Sequence, residues 1–250
     1  MMPDVLLEIC CGSADDVLEA ARGGADRVEL NSNLFQGGLT PSIGTLEVVR
    51  ERVNIPVCAM VRPRAGGFCY SEAEFAVAKA DARALIRGGA DALVFGFLNP
   101  DGTVDVNRTR EMVELAGDTP CVFHRAFDVV PDWKQAMEQL ISIGVTRILT
   151  SGQESDVFFA LDTIAEMIRF AGNAIEILPG AGITLRNVRR VVTETGCRQV
   201  HLAAHRTLPD TSVANNRSIY YGGALHPPED RYDITDADTV SAVRACLEGK

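Results

Sequence analysis

The chain has 250 residues, 46% of them apolar, and a formal charge of −10 from 24 basic and 34 acidic side chains. That length and apolar content support one large core, so residues 1–250 are expected to form a single domain, while the acidic balance excludes the clustered Lys and Arg of a nucleic-acid-binding face. No apolar run approaches the ~20 residues of a membrane span and no basic n-region opens the chain, so a cytoplasmic protein with no membrane partner is expected.

Strands are predicted at Leu6–Cys10, Arg27–Asn31, Val57–Pro63, Ala92–Gly96, Cys121–Ala126, Arg147–Gly152, Ala174–Gly180 and Gln199–His205. Segments such as Ala14–Ala21, Glu72–Ile86, Pro131–Ile143 and Leu185–Glu194 between them have helical spacing. Strand and helix thus alternate, which favours parallel pairing with right-handed crossovers. Four segments repeat one phrase: GGADRVEL, GGADALVF, IGVTRILT and TGCRQVHL. Their aligned glycines, Gly24, Gly89, Gly144 and Gly196, end helices and recur at roughly twice the ~30 residues of one strand-helix unit. The count predicts an α/β fold, a (β/α)8 barrel of TIM type; a doubly wound open sheet leaves two of the runs over. The irregular stretch 206–233 is expected to be a long loop between the eighth strand and a last helix near Asp236–Leu247, serving as a lid, an oligomer contact or a disordered connection.

Along each strand the helix-facing residues must be apolar, and the alternate residues turn into the lumen. This directs Glu8 and Cys10 inward from the first strand, Glu29 and Asn31 from the second, Met60, Arg62 and Arg64 from the third, His124 from the fifth, Glu176 from the seventh, and His201 and His205 from the eighth. Barrel interiors are ordinarily apolar, so such a set points to a site, the alternative being an ion network that only fills the lumen. Arg62 and Arg64 of VRPRAGG, with Arg125 of HRAFD, lie where a guanidinium fork can hold a carboxylate or phosphate. Gly180 and Gly182 of LPGAGIT and Thr150 of TSG read as an anion cradle or as tight turns. Glu8, Glu29 and His124 are candidate acid/base groups, His124 titrating near neutrality, and Asp128 is assigned to capping the helix that begins near Pro131. None of the lysines, Lys79, Lys134 and Lys250, falls on a strand, which removes imine chemistry. The seven cysteines, with no C-x-x-C, read as reduced thiols.

The runs LEICCGSADDVLEAARGGADRVEL, GGLTPSIG, MVRPRAGGFCYSEAE, ADALVFG, FHRAFD, ILTSG and PGAGIT resemble, in this order, the CutC family, named for copper homeostasis. The resemblance implies a TIM-type barrel, a cytoplasmic location, copper tolerance through cuprous-ion binding and homo-oligomers, with no catalysed reaction attached. It places a family cysteine at Cys10, whereas Asn31 and Leu202 stand where many members carry further cysteines; His201 is retained. A cuprous ion prefers sulfur, so Cys10 with His201, helped by His124 or Cys69, is the implied copper(I) site. Two functions follow: a copper-handling protein, or an enzyme acting on a small anionic carboxylate or phosphate metabolite by acid/base chemistry at the barrel mouth.

Overall fold

Eight parallel strands, β1 (Leu6–Cys11), β2 (Arg27–Leu30), β3 (Val57–Met60), β4 (Ala92–Phe95), β5 (Cys121–Phe123), β6 (Arg147–Thr150), β7 (Glu176–Pro179) and β8 (Gln199–Leu202), form one sheet in a computed structural model of the chain. Residues 5–216, 218–222 and 227–249 are described. The strand order β7-β6-β5-β4-β3-β2-β1-β8 rolls the sheet into a nearly closed barrel. Between β7 and β8 the Gln199 amide donates to the Ile177 carbonyl at 3.4 Å and the Glu176 carboxylate at 3.3 Å. Side chains rather than a backbone ladder thus span that seam.

The crossovers are helices α1 (Ala14–Arg22), α2 (Ile43–Arg52), α3 (Glu72–Arg87), α4 (Val106–Ala116), α5 (Trp133–Ser142), α6 (Leu161–Ala171) and α7 (Val188–Thr195), with α8 (Ala237–Leu247) last. Their ends follow from local chemistry. In α3 Ser71 and Glu74 form a reciprocal capping box, acids occupy the first turn, and Arg87 lies in the last. Phe75, Ala78, Ala82 and Leu85, three and four apart, bury its inner face. The four repeat glycines all have φ between +71° and +90°, the left-handed turn that returns each helix to a strand.

The strands stop earlier than expected. Pro63 has no N–H with which to extend β3. β5 ends because the His124 imidazole accepts the Ala126 N–H and starts a 3-10 turn over Arg125–Val129. The stretch 206–233 is not simply a loop. β9 (His205–Pro209) and β10 (Arg231–Thr235) pair antiparallel as a ribbon that packs beside α1, and Arg217 and 223–226 between them lie outside the described residues. Asp16 of α1 accepts the Thr235 N–H at 2.5 Å and so ties the ribbon down.

Alternation partitions the barrel. Leu7, Ile9, Val28, Leu30, Ala59, Leu93, Phe95, Val200 and Leu202 join the core beneath the helices. Cys58, Met60, Ala92, Val94, Val122, Leu149 and Leu178, from β3 to β7, form a separate apolar cluster that fills one side of the lumen. The opposite side, contributed by β8, β1 and β2, is polar.

Candidate metal centre

The register Glu8↔Arg27 and Cys10↔Glu29 between β1 and β2, with Glu8↔His201 between β1 and β8, stacks a polar column along the barrel axis. At its base Arg147 pairs with Glu176 at 2.7 Å, and Gln199 joins Glu176 to Arg27. In the middle Glu8 accepts from Arg27 through one carboxylate oxygen and holds His201 Nδ1 at 2.8 Å with the other. Uppermost, the Cys10 Sγ lies 3.7 Å from Glu29 Oε2, and the Asn31 amide donates to that oxygen at 2.8 Å and to the Cys10 sulfur at 3.6 Å.

Burial would raise the Glu8 carboxyl, but the His201 hydrogen bond and the His201 and Arg27 charges bring it down to about 2. Burial would discharge His201, yet Glu29, Cys10 and Glu8 together hold its pKa well above the ordinary imidazole value. Burial raises Glu29 and pushes the Cys10 thiol up to about 11. Because Nδ1 is committed to Glu8, Nε2 is the nitrogen that faces Glu29, at 3.9 Å. One donor atom each from Cys10, Glu29 and His201 lies within 4.8 Å of the others, the spacing of ligands around a single ion. A histidine whose other nitrogen is anchored by a carboxylate is the usual outer support of such a ligand.

Above this triad opens a cavity of ≈ 720 Å³, lined by Cys10, Glu29, Asn31, Arg62, Phe68, His124, Arg125, Gly182 and His201 among others. Several expected members are placed differently. Arg64 does not converge with Arg62: it bonds Glu74 at 2.5 Å and the carbonyls of Ala65, Gly67 and Cys69, and its guanidinium lies over Tyr70. The Gly180 N–H is spent on the Thr150 carbonyl. A Cβ on Gly182 would lie 2.0 Å from an Asp156 carboxylate oxygen. An anion is thus already packed against the expected anion cradle.

Asp128 does not cap the helix after Pro131, a role taken by Asp132. It gathers the β5 and β6 loops instead, accepting from the Thr150 and Ser151 hydroxyls, the Ser151 N–H and Arg125. Thr150 and part of Arg125 are therefore committed within the protein. His124 does not titrate near neutrality, because burial and the nearby Arg62 charge lower its pKa to about 3. Glu176, assigned inward, sits at the open base of the barrel and is exposed. Cys58, near the start of β3, lines the lumen with its Sγ 3.9 Å from Glu8. Leu202 packs under the helices, as β8 alternation requires. Arg27, Arg147 and Gln199 were missed, although Arg27 shares its strand face with Glu29 by the same period-two rule.

Residues 5–206 match the model of the CutC family. A CutC family protein of Treponema denticola is 49% identical over 242 residues, covering 97% of this chain and 98% of that protein. The human copper homeostasis protein cutC homolog is 41% identical over 240 residues, 96% of this chain and 88% of that one. The crystal structure of a CutC protein from Streptococcus agalactiae superposes with a TM-score of 0.75 at 33% identity, covering 79% of this chain and 98% of that one.

Proposed function

This chain belongs to the CutC family, and from that premise we propose that it serves copper homeostasis by holding a cuprous ion, as cargo, between Cys10 and His201 at the barrel mouth. The observation that carries the reading is the convergence of the Cys10, Glu29 and His201 donors within 4.8 Å, with His201 Nδ1 tied to Glu8. A thiolate and an imidazole suit a soft monovalent ion; the carboxylate is a harder third donor, and Asn31 adds no sulfur. Loading must displace protons from a thiol raised to about 11 and from a charged imidazole. Proton competition therefore weakens retention at neutral pH and favours handing the ion on over storing it.

Anaerobic competition with a cuprous chelator tests the reading. Binding that strengthens from pH 6 to pH 8 and disappears in Cys10→Ser is expected; wild-type protein that takes no copper from the chelator would refute it. A cytoplasmic location belongs to the same reading, because all seven cysteines are free thiols, which a reducing compartment maintains. A homo-oligomer is supported by exposed Phe35 and Tyr232, which share a groove beside the β9–β10 ribbon.

A further inference from the structure

Two buried donors at the mouth, Arg62 Nε and His124 Nε2, have no hydrogen-bond partner among the described residues. The two residues are 6% and 4% exposed, and both line the cavity. A buried donor left unmatched is costly, and an acceptor supplied from outside would satisfy both. Neither group belongs to the Cys10–Glu29–His201 triad.

The chemistry of each donor is fixed by its surroundings. The Ala126 N–H donates to His124 Nδ1 at 3.1 Å, so a neutral ring carries its proton on Nε2. With its pKa down at about 3 the ring stays neutral, a hydrogen-bond donor and not a second cation. Arg62 spends Nη1 on the carbonyls of Gln36 and Gly38, each at 2.9 Å, and Nη2 on that of Gly66 at 2.7 Å. These partners and the buried Tyr70 hydroxyl beside the guanidinium are all neutral, whereas a buried guanidinium ordinarily has an anion beside it. Phe68 joins the two donors: its ring lies 4.9 Å from the His124 ring and 5.4 Å from Arg62 Cζ. Met60, Leu149 and Ile183 make the adjoining wall apolar.

We propose that this part of the mouth binds a monocarboxylate with an apolar body, its oxygens accepting from Arg62 Nε–H and His124 Nε2–H and its body lying on Phe68, Met60 and Leu149. One guanidinium and one neutral N–H match one carboxylate in both charge and donor count. A phosphate dianion is disfavoured, because the Gly180 N–H is already bonded and the Asp156 carboxyl group occupies the space beside Gly182, which leaves no backbone cradle for a second charge. The site is independent of the copper reading, since it uses other side chains and needs no metal.

Calorimetric titration of metal-free protein with benzoate, benzamide and inorganic phosphate tests it. Saturable benzoate binding is expected, about ten-fold or more tighter than benzamide or phosphate, reflecting a charge-assisted contact. His124→Asn keeps an acceptor for the Ala126 N–H but removes Nε2, and Arg62→Lys keeps the charge but removes Nε–H; each, when folded by circular dichroism, should weaken benzoate by about ten-fold. No saturable benzoate binding, benzamide or phosphate binding as tightly as benzoate, or folded variants that bind benzoate like wild type would each overturn the proposal. Should the variants fail to fold, the three-ligand comparison on wild type decides.

Discussion

Glu8 joins the structural and functional halves of the polar column. One of its oxygens neutralises Arg27 below, and the other fixes His201 Nδ1 and so turns Nε2 toward Cys10 and Glu29. Removing one partner of a buried ion cluster leaves the others unpaired, so Glu8→Gln is expected to cost about 3 kcal/mol at neutral pH in chemical denaturation. The pH dependence has a definite sign. Glu8 titrates from about 4.5 in the unfolded chain to about 2 in the folded one, so its contribution is present above pH 4.5 and is lost as the pH falls toward 2. The gap between wild type and Glu8→Gln should therefore close across that interval, and a gap that persists at pH 2 would contradict the assignment. His201 works the other way, its raised pKa adding stability below pH 6.5 that fades as the pH rises.

The elements around the mouth are held by loop contacts that the strands do not specify. Asp128 binds the β5 loop to the β6 loop, and Asp156 of the β6 loop presses its carboxylate onto Gly182 of the β7 loop. Gly182 also has φ +76°, so a side chain there meets both backbone strain and a clash. Gly182→Ala should lower stability by roughly 1–3 kcal/mol in urea denaturation, a cost of the size expected for a strained backbone. Adding Asp156→Ala should recover the clash part and leave the strain. A neutral single substitution, or a double variant no better than the single, would show that the two loops are not coupled in this way.

At the scale of the molecule, the first and last elements are bound to each other. Asp16 of α1 caps Thr235, and Arg244 of α8 donates to the Val5 and Gly24 carbonyls and pairs with Asp26. We propose that a chain so tied is a single domain, expected to unfold in one cooperative step with calorimetric and van't Hoff enthalpies equal. In the proposed homo-oligomer the melting temperature should also rise with protein concentration, because association stabilises only the folded state. Two separated transitions would refute the single domain, and a concentration-independent midpoint would refute the oligomer.

The alternation of apolar runs with helical segments, and the glycines that turn helix back to strand, determined the barrel. Period two along β1, β2 and β8 determined that Glu8, Cys10, Glu29 and His201 face one lumen. Those features are local: a strand's faces and a glycine's φ are set by a few neighbouring residues. Height along the axis and the partner of each polar atom are not local. Glu8 and His201 meet across 193 residues of chain, as Arg27 and Gln199 do across 172. Only the folded barrel decided that Arg64 turns away to Glu74, that Asp156 fills the glycine cradle, and that His124 remains neutral. For Asp156 and His124 a distant segment, Gly182 or the Arg62 loop, overrides what the residue's own neighbours allow; for Arg64 it is the start of α3 and the carbonyls of its own loop that compete for the guanidinium.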